Sequence, residues 1–293
     1  MKDIFKMLGM VLIVILVYVY RSSVTDFLYN NILSSGNNNV LSYNEYYKED
    51  NYLFVQNIDK NDVSSYKELI NMIYTIINSG DDSFTFKCNY DNCIKDMYAL
   101  ADDTKTVPNI NNFVHPYNSF SSINVDINEI GTITIRTKKT YNNEQIDVID
   151  SYIDEFIKNN INDSMDTKEK IKLFHDYIIN NTIYDENNTE NSYNAYTLIK
   201  TGKAICGGYS DIMAIYLDKL GIKNYKITSD THIWNLVYLD NKWYHLDATW
   251  DDPVSNDKNQ YLIHNFFLIP TDELLKLDNV EHNYNKEIYL EAN

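Results

Sequence analysis

The sequence predicts an α+β protein in which a cysteine-bearing helix packs on an antiparallel sheet. Behind Cys206, apolar residues recur at helical spacing: Ile212, Ile215, Tyr216 and Leu220. Further on, two segments rich in aromatic and β-branched residues, 231–239 and 243–250, flank Asp240-Asn241, a pair typical of hairpin turns. A cysteine that opens a helix and a following hairpin therefore define the predicted core.

Cys206 is predicted to lie at, or just before, the N-terminus of its helix. Gly207 and Gly208 allow a sharp backbone turn beside it, and Gly221 follows the periodic segment where a helix often ends. The unpaired N–H groups and the positive end of the helix dipole favour a thiolate there, and they could also hold an oxyanion. A buried structural cysteine is the alternative for any single cysteine.

The hairpin brings a histidine and an aspartate to one face of its sheet. A two- or four-residue loop centred on Asp240-Asn241 pairs Trp234 with Asp247 and His232 with Thr249. His232 and Asp247 then point the same way as diagonal neighbours, roughly 7–8 Å apart at Cα. His245 shares the face but lies about 13 Å further along the strand, so His232 is the better candidate base. A three-residue loop would destroy this register.

These pieces resemble the transglutaminase-like superfamily of papain-related cysteine enzymes, bacterial type. The resemblance rests on Gly-x-x-x-Cys-x-Gly-Tyr at 202–209, His-x-Trp-Asn at 232–235 and Trp-Tyr-x-x-Asp-x-Thr-Trp at 243–250. It extends over about residues 166–275. Ile233 departs from the pattern, which usually has alanine there.

The resemblance implies a papain-like or transglutaminase-like core with Cys206 as nucleophile, His232 as base and Asp247 as orienter. It also implies a second oxyanion donor upstream of the cysteine. Candidates for the oxyanion site or the substrate channel are Tyr193, Asn194, Tyr196, Gly207 and Trp234. Trp234 is equally well explained as a core aromatic residue. The chemistry needs no metal or cofactor.

The N-terminus carries an apolar run at residues 7–20, with Lys2 and Lys6 before it and Arg21 after it. The run is short for a hydrocarbon core of about 30 Å, but no Ala-x-Ala-like cleavage site follows. We expect an uncleaved membrane anchor with the catalytic domain outside the cell; secretion after cleavage is the alternative. Either way, the bulk of the chain is exported.

The predicted organisation has four parts: an anchor or signal peptide at 1–22, a tether at 23–50, a small α+β domain at 51–142 and a catalytic domain at 143–293. Helical periodicity at 60–79 and strand alternation at 123–127 and 130–137 suggest the small domain. Cys88 and Cys93 are close enough to form a disulfide, which leaves Cys206 unpaired in an oxidising compartment; three reduced thiols are the alternative.

The formal net charge of −17 argues against a nucleic-acid partner, because phosphate binding depends on Lys and Arg. No Cys/His set has zinc spacing and no acidic run has calcium-loop spacing.

The sequence therefore predicts a thiol enzyme that acts on protein or peptide amides through a thioester, by cross-linking, deamidation or proteolysis. The alternatives are a non-catalytic surface binding module, and a cell-envelope protein whose N-terminal domain binds an envelope partner.

Overall fold

The computed structural model describes residues 40–128, 131–188, 192–254 and 261–292. The apolar run at 7–20 and the rest of the predicted anchor lie outside these residues. Among the helices described, none is long and apolar enough to cross a membrane. The architecture is mixed α+β, as the sequence predicts.

The N-terminal part is a four-stranded sheet with three helices. Its elements are β1 (Asp62–Val63), α1 (Tyr66–Ser79), β2 (Ser83–Cys88), α2 (Cys93–Asp102), α3 (Thr106–Ile110), β3 (Phe120–Ile127) and β4 (Thr132–Lys139). The strand order is β1-β2-β4-β3, and only the β1–β2 pair is parallel. Cys88 and Cys93 are joined in a disulfide between β2 and α2.

Local chemistry explains the ends of α1. The Ser65 side chain accepts the Glu68 backbone N–H, which satisfies a donor in the first turn, and Gly80 ends the helix at φ 80°. The helix therefore starts after Ser65, several residues later than the start of the predicted helical segment at residue 60.

The C-terminal part begins with helices and ends with a second sheet. Its elements are α4 (Asn143–Asn160), α5 (Thr167–Asn181), β5 (Ile183–Tyr184), α6 (Ala195–Thr201), β6 (Lys203–Ala204), α7 (Cys206–Lys219), β7 (Asn224–Thr228), β8 (Ile233–Leu239), β9 (Lys242–Leu246), β10 (Phe267–Ile269) and α8 (Thr271–Leu277). A capping box starts α5: the Asp166 side chain accepts the Glu169 backbone N–H, and the Glu169 side chain accepts the Asp166 backbone N–H.

The second sheet is antiparallel, with strand order β10-β9-β8-β7, and α7 packs on β7 and β8. Asp240 and Asn241 form the two-residue loop between β8 and β9, with φ 50° and 62°. Leu239 pairs with Lys242 and Asn235 with Leu246, so the register is the predicted one.

Two apolar clusters fill the interior. The helical cluster lies around α4, α5 and α7 and includes Ile153, Phe174, Ile212 and Tyr216. The shared cluster joins the N-terminal sheet and helices to the second sheet and the last residues; it includes Leu69, Phe86, Phe113, Tyr225, Trp234 and Tyr289. The shared cluster therefore crosses the predicted boundary near residue 142, and the division into domains stays a prediction.

Residues 40–50 fall in the predicted tether, yet they contact the folded body. Leu41 is buried, the Asn44 N–H donates to the Ser79 carbonyl, and Lys48 Nζ lies 2.9 Å from Asp218 Oδ1.

Candidate active site

Cys206 is the first residue of α7, where the preceding Ile205 is extended. Its thiol is free and partly exposed. Among the described residues, no acceptor is seen for the backbone N–H groups of Cys206 and Gly207. These two donors and the helix dipole make the start of α7 suitable for a thiolate and for a developing oxyanion.

The glycines beside Cys206 are required by close packing. A Cβ on Gly207 would lie 2.6 Å from the Tyr193 carbonyl oxygen, and one on Gly208 would lie 2.9 Å from that of Ser192. The backbone at 192–194 therefore lies directly over the first turn of α7. A side chain at either position would force this backbone or the nucleophile to move.

Gly207→Ala is accordingly expected to slow alkylation of Cys206 at pH 6 about 100-fold, because a displacement near 1 Å can cost this much in reactivity. Gly221→Ala is the matched control: its φ is 70°, but the added Cβ meets nothing within 4 Å. That control should lose about 1 kcal/mol of stability and keep its alkylation rate. A Gly207→Ala protein that reacts at the wild-type rate would contradict the packing argument.

His232 lies one residue before β8. Its backbone N–H donates to Ser229 Oγ at 3.1 Å, and its ring stacks on the Trp234 indole with centroids 5.5 Å apart. The ring nitrogen Nε2 lies 2.6 Å from Asp247 Oδ2. The Cys206 side chain is close enough to this ring to raise its pKa, and Nδ1 is the ring nitrogen that Asp247 leaves free.

Asp247 lies one residue after β9, fully buried. Its Oδ1 accepts the backbone N–H groups of Thr249 and Trp250 at 2.9 and 3.1 Å. Its Oδ2 faces two imidazoles, His232 and His282, at 2.6 and 2.9 Å. Both carboxylate oxygens are thus surrounded by groups that can donate hydrogen bonds. These surroundings favour the ionised form of Asp247.

The surroundings shift both titrating groups towards their charged forms. Burial alone lowers the pKa of His232, but the Asp247 carboxylate and the Cys206 side chain outweigh it and raise this pKa to about 10. Burial also disfavours the Asp247 anion, but the charges and hydrogen bonds of His232 and His282 hold the pKa of Asp247 well below its usual value. The pair is therefore an imidazolium and a carboxylate at neutral pH.

The structure brings together Cys206, His232 and Asp247, the three residues predicted to act as a triad. Gly207 adjoins them through its backbone. Tyr193 contributes a nearby carbonyl, while its side chain is about half exposed.

Asn194 and Trp234 have other roles than those expected. The Asn194 side chain caps α6 by accepting the Thr197 N–H at 3.0 Å. Trp234 is 1% exposed and its indole N–H donates to His245 Nδ1, so it cannot line a substrate channel and instead supports the His232 ring. Tyr196 lies on α6, where Lys200 Nζ sits 5.9 Å from its ring centroid. The structure therefore agrees with the alternative prediction that Trp234 is a core aromatic residue.

Two site residues escaped the sequence analysis. His282 contacts Asp247 from a segment after α8 that has no periodic pattern. Tyr184 ends β5, which pairs with β6 just before the cysteine, and burial and then the nearby Cys206 raise the pKa of its phenol. For Tyr184, the signal is its position on a strand that pairs with the segment just before Cys206.

His245 is a supporting residue. Burial and the nearby His282 lower the pKa of His245 to about 3, so its ring is neutral; it accepts the Trp234 N–H and its Nε2 lies 3.0 Å from Thr271 Oγ1. This agrees with the choice of His232 over His245.

Within the part of the chain that the structure describes, two clusters have the composition of a metal site: His232 with Asp247 and His282, and His175 with Asp176 and His264. In each cluster, the carboxylate already binds both imidazoles by hydrogen bonds of 2.6–3.0 Å. Hydrogen bonding therefore accounts for both groupings.

A cysteine at a helix start and a His–Asp pair on an adjoining antiparallel sheet define the papain-like fold of cysteine enzymes. Residues 155–248 match the family model of the Transglutaminase-like superfamily. Cys206, His232 and Asp247 all lie within the match, whereas His282 lies outside it.

Two solved structures are similar to part of the chain. One is a TGase crystal structure, at 19% identity and TM-score 0.35, covering 48% of this chain and 47% of that one. The other is a protein from Cytophaga hutchinsonii provisionally described as a cysteine protease, at 12% identity and TM-score 0.29, covering 48% and 65%. The chain thus spans less than two thirds of either structure. No curated protein matches the chain.

Proposed function

We propose that the protein is a thiol enzyme that acts on protein or peptide amides through a thioester on Cys206. One observation carries the proposal: three chain segments converge so that the His232 ring lies beside Cys206, close enough for the thiol to raise its pKa, while its Nε2 lies 2.6 Å from Asp247 Oδ2. This is the arrangement that nucleophilic catalysis requires, with a nucleophile, its base and the residue that orients the base.

In the first half-reaction, the Cys206 thiolate attacks the carbonyl carbon of a carboxamide or peptide bond. The backbone N–H groups of Cys206 and Gly207 stabilise the oxyanion of the tetrahedral intermediate. As the intermediate collapses, the C–N bond breaks and the His232 imidazolium gives its proton to the departing ammonia or amine. The product is a thioester and a neutral His232.

In the second half-reaction, water or an amine attacks the thioester. His232 takes a proton from this acceptor, the C–S bond breaks and the thiolate returns. Water gives deamidation or proteolysis, and a lysine amine gives a cross-link. Asp247 keeps Nε2 protonated throughout, so that Nδ1 faces the thiol in both steps.

We also propose that the chain is exported and anchored by its N-terminal apolar run. The Cys88–Cys93 disulfide supports this, because such bonds persist in oxidising compartments.

The experiment is the pH profile of Cys206 alkylation by iodoacetamide in the full chain, kept in mild detergent. We expect fast reaction at pH 6, where an ordinary thiol with pKa near 8.5 is almost entirely protonated, and a slowing of about 100-fold in His232→Ala. Ammonia release from a glutamine peptide, with and without an added amine, then identifies the acceptor. Slow alkylation that follows an ordinary thiol profile and is unaffected by His232→Ala would reject the enzyme and favour a binding module.

A further inference from the structure

His282 binds the same oxygen as the catalytic base. Its Nε2 lies 2.9 Å from Asp247 Oδ2, and its ring meets the His232 ring edge to face with centroids 5.3 Å apart. The side chain is fully buried. It comes from residues 278–282, which lie after α8 and outside the segment that matches the superfamily.

A second carboxylate holds the other side of this ring. His282 Nδ1 lies 2.9 Å from Asp278 Oδ2, and the same oxygen accepts the backbone N–H groups of Glu281 and His282, both at 2.9 Å. Burial opposes ionisation of Asp278, but these hydrogen bonds outweigh it and lower its pKa. The turn at 278–282 is thus closed around the imidazole.

Proton counting fixes the state of the ring. An ionised carboxylate can only accept hydrogen bonds, and both ring nitrogens of His282 face carboxylates at hydrogen-bonding distance. Both nitrogens can donate to these carboxylates at the same time only when the ring is an imidazolium. The contacts around His282 therefore fit a cationic ring on the side of Asp247 opposite to His232.

The groups around His282 do not screen a positive charge on its ring as water would. Among the described residues, the charged or titratable groups that face it are Asp247, Asp278, His232 and His245, and His245 is neutral. The remaining neighbours are the aromatic rings of Trp234, Trp250 and Phe266, at 4.8, 4.9 and 5.3 Å between centroids. With so little water around it, the imidazolium acts on the triad with little screening.

We propose that His282 is a positioning residue of the active site, a buried cation that fixes Asp247 Oδ2 and lowers the pH at which the thiolate–imidazolium pair of Cys206 and His232 forms. Its charge favours the Cys206 thiolate and offsets part of the attraction of Asp247 for the His232 proton. His232 is then a stronger acid towards the leaving group. This inference rests on the proposed function, and its first test does not require activity.

The first test is NMR of the full chain labelled with ¹⁵N-histidine, in which six histidines are to be assigned. We expect both ring nitrogens of His282 to be protonated at pH 7.5, and this pattern to be lost in His282→Gln. A bare ring nitrogen on His282 at pH 7.5 would overturn the inference.

The second test is the acid midpoint of the Cys206 alkylation profile in His282→Gln. Loss of one nearby positive charge should move this midpoint up by roughly half to one pH unit and slow the reaction at pH 6 by about three- to tenfold. Asp278→Asn, at a more accessible position, keeps the oxygen that accepts the backbone N–H groups of the turn. This variant should move the acid midpoint in the same direction, but by less. It also serves if His282→Gln does not fold.

His245→Gln is the matched control, because it removes a buried histidine that is neutral. We expect lower stability and an unchanged midpoint. If His282→Gln and Asp278→Asn shift the midpoint no more than His245→Gln does, His282 is merely structural. Failure of the proposed function is a separate result: the wild-type profile would then match an ordinary thiol, while the proton count on His282 would still be measured.

Discussion

Asp247→Asn is expected to slow Cys206 alkylation at pH 6 about 100-fold and catalytic turnover about 10³- to 10⁴-fold. Two backbone N–H groups, of Thr249 and Trp250, bind Oδ1, so the amide oxygen of asparagine must stay on that side. The NH₂ group then faces the Nε2 atoms of His232 and His282. Both nitrogens must give up their protons to accept from it.

The consequence for His232 is the wrong tautomer. Its proton moves to Nδ1, the nitrogen that faces Cys206, so the ring can no longer take the thiol proton. Asp247→Asn should therefore fold with its triad in place and yet react as an ordinary thiol. The check is the alkylation rate from pH 5 to 9, with circular dichroism to verify folding. A variant that retains fast reaction at pH 6 would show that the tautomer is not held by Asp247.

The second large effect is the pH dependence of the free energy of unfolding in Cys206→Ala. This variant lacks the thiol, so that the His232–Asp247 pair can be studied without it. The pKa of His232 is raised in the folded protein, so the folded state binds a proton that the unfolded state has lost above pH about 6.5. The stabilisation is complete below pH 6.5 and is lost as the pH rises through the folded-state pKa of His232, which lies below about 10 in this variant because the contribution of Cys206 is removed. We expect a loss on the order of 3 kcal/mol over this range.

Urea unfolding at intervals between pH 6 and 10 measures this loss. Cys206→Ala/His232→Gln is the control, because tyrosines and lysines that titrate in the same range contribute equally to both proteins. The difference between the two curves should shrink as the pH rises. Parallel curves would mean that His232 does not carry a raised pKa without the thiol.

The local parts of the site follow from the sequence because short-range chemistry decides them. Asp240-Asn241 selects a two-residue loop, the loop sets the strand register, and the register places His232 and Asp247 on one face. The sequence predicted a sharp turn at Gly207 and Gly208, but neither residue has a positive φ. They are needed instead because the backbone at 192–194 approaches closely, which the sequence did not indicate.

The contributions of His282 and Asp278 could not be found in this way. Their turn has no apolar period, and a histidine in a polar segment is indistinguishable from a surface residue until tertiary packing buries it. The role of Trp234 depended on the same long-range information. Its indole joins the shared cluster with residues from both ends of the chain, so its burial cannot be read from its own strand.

The shared cluster also limits how the protein can be divided. Trp234 and Tyr225 from the second sheet pack in one interior with Phe86 and Phe113 from the N-terminal part. Tyr289 Oη bonds both Asn112 and Thr228, at 2.8 and 2.5 Å, which links the two parts by polar contacts as well. A fragment beginning at residue 143 would expose this apolar surface to water. The C-terminal part is thus not a portable module, and grafting it onto another protein would require a substitute for the N-terminal sheet.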